Sequence, residues 1–549
     1  MREGGVRGAA VIFFGALAFY AATAYPGVAP RDGMDLGYAA RTLTLAHAPG
    51  YPLYAIAGKA WGTALGLGEF SYRLNLLSAA GGAGAAALAS LCAGGPGGWA
   101  GAAALAVSAP LWKFSLLQEK YSWHALIAAA LFLLSRGPGS TRGRRLALSG
   151  LLLGLGLVNH QTLLLLIPAL AILWRGRVDR PASAALFVLI GLGPMLMLWI
   201  RLGGLPEAWA MATRAQYGTF ELHPAFARPW SAELAAAELG FFFGRLPSAV
   251  GWPVLLLAAL GTSEFWTRNR REGAAWAAAF FCAGPVFLLL SRFDPSHWVA
   301  ASALEPCFLI PVLALCVAAG HGGSFLLERI GARGEMTGIF AAVLALALAG
   351  WGGARSAPRL DRREDFSAYD YSRDLDRSLP PGAALVAGGD TARFGLRYRW
   401  LDRGNRGRLL AGSDGRLGPE WAASQLRARP LFAVGLSARA LEGMGLWGNP
   451  FHLSPEGLVQ AVRPVPGWER DRASWERLAL RRPPDGGPEG RDSYLRDVLF
   501  SYAFAHYLSG QIHEVLAAEG PPYARSSRHY MEAGSLDPLE YRVEMETFR

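Results

Sequence analysis

Lysine is nearly missing from this 549-residue chain: Lys59, Lys113 and Lys120 are the only ones, while Lys and Arg together number 53. The net charge of +11 therefore rests on arginine. Nucleic-acid binding needs cations clustered on one folded face. These arginines fall instead in short loops between apolar runs, so no nucleic-acid partner is expected. Charge as a whole is scarce, at 17% of residues, against about 25% in soluble domains. That excludes a wholly soluble chain. Cysteine is scarcer still. Cys92, Cys282, Cys307 and Cys316 lie in or beside apolar runs, with no CxxC pair and no His at metal-ligand spacing. They read as buried thiols, and neither a metal nor a resident cofactor is expected.

What is plentiful is apolar: 52% of residues. Apolar runs lie near 9–28, 72–92, 97–117, 122–135, 146–174, 182–200, 249–266, 274–291, 299–320 and 336–352. Several approach the roughly 20 residues that cross a bilayer. After Gly353 no such run remains, and Arg, Asp, Glu and Pro become frequent. The first run follows Arg2 and Arg7 and is read as a retained anchor, although "ATA" at 22–24 mimics a cleavage site. The expected fold class is an α-helical polytopic membrane protein of about eleven spans, with an extracytoplasmic C-terminal α/β plus helical region. The expected domains are 1–353 in the membrane, 354–489 as a small α/β domain, and 490–549 as a helical end.

Arginine fixes orientation, because basic loops stay cytoplasmic. Arg2 and Arg7 place the N-terminus inside, and the loop 135–145, Arg175 to Arg180, 267–272, Arg329 and Arg333 should follow it. That parity requires 146–174 to be two short helices turning at "VNHQT" (158–162). Residues 32–54, 118–124, 158–162, 202–248, 292–298 and everything after Gly353 then share the outer side. The basic loops are thus expected on the cytoplasmic face of the membrane. In the tail, "AALVAGG" (383–389), "RLLAG" and "LFAVGLS" read as strands alternating with helical "EWAASQLRA" and "ARALEGM". Residues 490–549 read as either one tetratricopeptide-like helix pair or an ordinary helical hairpin.

The polar islands carry the candidate chemistry. "DGMDLGYAARTLTLAHAPGYPLY" (32–54) holds Asp32, Asp35 and His47. Leu36, Ala39, Ala40, Leu43 and Ala46 share one helical face, which reads as an amphipathic helix on the outer membrane surface. Asp35 at its start reads as an N-cap, and His47 as its end before the Pro49–Pro52 turn. "QEKYSWH" brings Glu119, Lys120, Tyr121 and His124 to an outer helix end. They suit acid/base work or anion binding, or are only snorkelling ends. Asn159 and His160 interrupt an apolar run at membrane depth, where polar groups are costly and often functional. "TRAQYG" adds Arg214 and Tyr217, and "SRFD" adds Arg292. Carboxylates, histidines and arginines on one side of a membrane suit an amphiphile with an anionic head.

These motifs resemble a large family of bacterial multispanning proteins whose opening pattern is D-x-G-E followed by "LGVAHPPGYPLY". Its animal relatives are transmembrane protein O-mannosyltransferases. "YRLNLLSA", "QEKYSWHAL", "GLGLVNHQT", "TRAQYG" and "YDYSRDLDRSLPPGAALVAGGD" follow in the family's order. This chain has Asp35 where the family has Glu, and Ala48 for the first Pro of "HPPGYP". The resemblance implies the GT-C glycosyltransferase fold, an outer active site and a polyprenyl-phosphate sugar donor. It also implies a general base in the first outer loop, carried onto Asp35 or Asp32. The hexose would be mannose-like, and the acceptor a protein Ser/Thr or an envelope glycan or lipid. Phosphate ligands are expected among Lys120, His124, His160, Arg214 and Arg292, with the two arginines leading because Arg holds phosphate bidentately. Two rivals stand beside this reading: a transporter or flippase of lipid-linked saccharide, and a membrane scaffold binding partners through its outer tail. Membrane lipid is a partner in each; no oligomeric state is implied.

Overall fold

The computed structural model describes residues 3–136, 143–175, 181–218, 222, 227–296, 298–412, 417–436, 438–446, 451–464, 478, 498–507 and 509. The chain divides into two compact units. One is helical, comprising Met1–Tyr25 and Ala39–Arg363; the other comprises Pro26–Tyr38 and Glu364–Arg549. Composition alone places the first boundary near residue 353 and does not separate 26–38 from the membrane part.

The helical unit begins with α1 (Glu3–Thr23). The division then falls inside α2 (Gly33–Thr42). Next come α3 (Pro52–Ala64) and α4 (Phe70–Ala93), and the unit ends with a helix over Glu335–Leu360. Small residues let these helices approach closely, as in membrane bundles. A side chain on Gly101 or Gly261 would run into the backbone of the helix Leu309–Arg329, at the Cys316 and Ala318 carbonyls. Large apolar side chains face outward instead: Val11, Leu189, Ile200, Val343 and Leu346 are exposed, which suits hydrocarbon rather than water.

Among the described residues, five helices are long and apolar enough to cross a membrane, or seven if each bent pair counts as one span. Two shorter apolar helices, Tyr121–Ser135 and Gln161–Trp174, accompany them. The run 146–174 is indeed broken. A helix over Gly143–Asn159 ends, His160 is extended (φ −160°, ψ 124°), and a 3-10 turn starts at Gln161. The run 97–117 is also interrupted, into Gly98–Ala106 and Ala109–Ser115. Ala232–Val250 and Trp252–Arg268 meet at a 106° bend. Gly251 makes that corner at φ 86°, a conformation that favours glycine.

The second unit is built on a five-stranded sheet of order β2-β1-β3-β5-β4. β1 (Ala384–Ala387), β2 (Leu409–Gly412) and β3 (Leu431–Val434) run parallel, joined by the helices Asp390–Arg403 and Pro419–Ala428. These are the strands read from sequence. The hairpin of β4 (Phe451–Glu456) and β5 (Val459–Pro464) was not read there. It turns tightly through Gly457 at φ 66°. A helix over Ser367–Ser378 packs Tyr371 and Leu375 into the same core as Val498, Tyr502 and Ala505. Asp376 on it pairs with Arg408 at 2.6 Å and accepts from the Trp400 indole at 2.9 Å. Most of 490–549, and with it the tetratricopeptide-like pair, lies outside the described residues.

Candidate active site

In the opening segment the first bond of α2 runs from the Leu36 amide to the Asp32 carbonyl, at 2.8 Å. Asp32, half-buried, is therefore the residue at the cap, and Asp35 sits in the first turn. This corrects the cap reading of Asp35, because the helix starts three residues earlier than the apolar pattern indicated. An acid in a first turn still faces the positive end of the helix. Asp35 is 1% exposed, and the Arg397 guanidinium lies 3.8 Å from its Oδ1. Arg397 also stacks 4.0 Å above the centre of the Tyr38 ring. The expected amphipathic face is buried rather than laid on a surface: Leu36, Ala39 and Ala40 are all inside.

The helix also ends sooner than His47, at Thr42, since Leu43 takes φ 51°. His47 belongs to the turn that follows, where its carbonyl accepts from Gly50 N at 2.7 Å. Tyr51 leaves that turn at φ 46°, and Pro52 opens α3. The turn places the His47 and Tyr51 rings edge to face, 5.2 Å apart.

The helical unit gathers Glu119, Lys120, Tyr121, His124, Asn159 and His160 into one cluster. Lys120 is fully buried. Its Nζ lies 3.0 Å from Glu119 Oε2, 4.5 Å from the Tyr51 ring centre and 4.4 Å from that of Tyr121. A buried ammonium is costly unless paired, and here a carboxylate and two ring faces compensate it. The backbone beneath is clamped from two sides. Ser78 of α4 bonds both the Glu119 amide (3.2 Å) and its carbonyl (3.0 Å), and Asn159 Nδ2 donates to the Lys120 carbonyl at 3.0 Å.

His160 stacks 6.3 Å from Tyr51 and lies 5.4 Å from His124. Its Nδ1 is 2.6 Å from Thr162 Oγ1, which is 3.4 Å from His124 Nε2. The two imidazoles and the hydroxyl form a chain able to pass a proton. Sequence reasoning missed Tyr51, Thr162 and Ser78. Tyr51 stood in the quoted motif, but only its ring position over Lys120 shows its use.

Arg214 follows the helix Leu205–Ala212 at φ 56°. Gln161 holds that helix end through the Ala212 carbonyl, and Met211 packs near Gly50. Arg214 lies over the Tyr217 ring at 5.2 Å and donates to the Leu222 carbonyl at 2.9 Å. Arg292 lies in a different strip, at φ 54°, where its carbonyl accepts from Arg228 N and Asp294 pairs with Arg228 at 2.9 Å. Buried Glu238, on the helix Ala232–Val250, escaped the sequence reading because it sits within an apolar stretch. Among the described residues no three His, Cys, Asp or Glu side chains come together as a metal-holding group.

A helical bundle that buries a lysine between a carboxylate and two tyrosine rings, in a chain that also folds a small α/β unit, has the architecture of a GT-C integral membrane protein. Residues 34–94 and 89–180 match the family model of the N-terminal domain of protein O-mannosyl-transferase TMEM260. The mouse protein O-mannosyl-transferase TMEM260 is 24% identical over 435 residues, a match covering 72% of this chain. The chain spans 61% of the length of that curated relative. Among solved structures, ArnT from Cupriavidus metallidurans bound to undecaprenyl phosphate shares the fold at a TM-score of 0.51 and 14% identity, over 84% of this chain and 98% of ArnT. Its apo state gives 0.51 and 14%, over 82% and 97%. The resemblance to GT-C proteins akin to O-mannosyltransferases, first read from the motifs, is thereby met in both sequence and fold.

Proposed function

We propose that the protein is a membrane glycosyltransferase that moves a mannose-like hexose from a polyprenyl-phosphate donor to a hydroxyl acceptor on a protein or envelope glycan. The acceptor oxygen attacks the anomeric carbon and the bond from that carbon to the phosphate oxygen breaks. The bonding pair leaves with the phosphate, and the acceptor proton passes to a carboxylate, so the configuration inverts. Asp35 is that carboxylate. The observation that carries the reading is its placement: buried in the first turn of α2 and inside the segment matching the TMEM260 family model, which begins at residue 34. Asp32 stands before that segment and is less buried than Asp35, so it is the weaker candidate.

A positioned base contributes about 10²–10⁴-fold. Charge building on the leaving phosphate calls for cations, a role we give to Arg214 and Arg292, with Lys120, His124 and His160 as further ligands. ArnT, in its undecaprenyl phosphate complex, is a lipid-phosphate precedent within this fold. The reading further takes the enzyme as independent of divalent metal. It sets about eleven spans in a bacterial cytoplasmic membrane, with the N-terminus inside and residues 354–489 and 490–549 outside, presenting the acceptor.

Membranes containing the chain should be incubated with polyprenyl-phosphate [³H]mannose. Label is expected in protein or glycan, in the anomeric configuration opposite to the donor's. Label crossing sealed vesicles without any glycosidic product would favour a flippase and overturn the transferase.

A further inference from the structure

Asp35 and Tyr38 are three residues apart on α2, so they share a face of the helix. Both meet one side chain that is 362 positions away from Asp35 in sequence: Arg397, on the helix Asp390–Arg403 of the same unit. Packing fixes the register of that helix. Phe394 and Tyr398, one turn apart, are buried with Val28 and Met34. At Gly395 a side chain would press on Met34, its Cβ meeting Met34 Sδ at 3.2 Å. With Phe394, Gly395 and Tyr398 held, Arg397 is presented to the acid and the ring together. The ring face receives the guanidinium carbon at 4.0 Å while the carboxylate balances its charge from 3.8 Å. Tyr38 is thus half of a two-point seat.

We propose that Arg397 is a positioning residue for the Asp35 carboxylate, holding the base at the angle that faces the acceptor proton. The role rests on the reading of Asp35 as base. It ties chemistry in the first outer loop to an ordered C-terminal unit. Lysine does not replace arginine here, because it carries the charge as a compact ammonium without the broad, delocalised guanidinium that reaches ring and carboxylate together. A misplacement of about 1 Å in a reacting group can cost about 10²-fold in rate.

The test uses the purified full chain in phospholipid vesicles containing polyprenyl-phosphate mannose. Arg397→Gln should lower kcat by about 10- to 100-fold with the donor KM unchanged. Arg397→Lys should recover part of that loss, and Tyr38→Ala should fall in the same direction. Melting temperatures of Asp35→Asn, Arg397→Gln and the double variant, read without substrate, should be non-additive, as for residues in contact. Additive shifts would overturn the contact itself. Unchanged kcat in Arg397→Gln beside an inactive Asp35→Asn would overturn the positioning role and leave the base standing. A wild-type chain that transfers no sugar, or a fully active Asp35→Asn, would overturn the base reading and the role with it, while the melting cycle still reports on the contact.

Discussion

Lys120 and Glu119, neighbours in sequence, form an ion pair at 3.0 Å with both side chains buried. Removing one member of such a pair leaves a charge with nothing to balance it, at a cost of about 3–5 kcal/mol. Lys120→Met should therefore lower the melting temperature of the purified protein sharply. Glu119→Gln with Lys120→Met together should cost less than the two single changes summed. Equal melting of Lys120→Met and wild type would show that the pair contributes nothing to the fold.

Asp374, in the second unit, accepts from the Tyr502 hydroxyl at 2.6 Å and from Arg373 Nε at 2.7 Å. Burial pushes its carboxyl above the ordinary value of 3.8, and the Arg373 and Tyr502 contacts only partly offset this. The folded chain thus binds this proton more tightly than the unfolded chain, so stability falls as pH rises. The loss begins near the ordinary value, ends at the raised one and is flat above it. Melting curves across that window should show a steeper fall for wild type than for Asp374→Asn. Parallel curves would contradict this account of the carboxyl.

The chemistry proposed for the site needs a base and cations but no metal. Transfer of labelled mannose should proceed at the wild-type rate after treatment with EDTA. Loss of transfer on chelation, restored by adding a divalent ion, would contradict the metal-free mechanism.

Much of the helical unit was legible because lipid imposes simple rules. Arginine parity demanded a break in 146–174, and the helix breaks at His160. The polar residues of 118–124 and 158–162 were marked by their apolar surroundings, and the fold brings them together around Lys120. In the second unit the apolar strands β1 and β3 stood out between turn signals. The hairpin Phe451–Pro464 did not, because Ser454, Pro455 and Glu456 dilute its pattern.

What stayed hidden was long-range. The partition of 26–38 with the second unit, and the seat of Arg397 on Asp35 and Tyr38, arise from packing across hundreds of residues. Local periodicity carries no trace of such contacts. The start of α2 was misplaced for a smaller reason. Gly33 and Met34 look like loop residues, yet they form its first turn once Met34 is buried against Phe394.

The role proposed for Asp35 is that of the general base. Its most direct test is the rate of mannose transfer from polyprenyl-phosphate mannose by Asp35→Asn, measured beside Asp32→Asn and wild type at equal protein and saturating donor. Asp35→Asn should lose about 10²–10⁴-fold with donor binding intact, while Asp32→Asn keeps most of its activity. Full transfer by Asp35→Asn, or an equal loss confined to Asp32→Asn, would contradict the assignment.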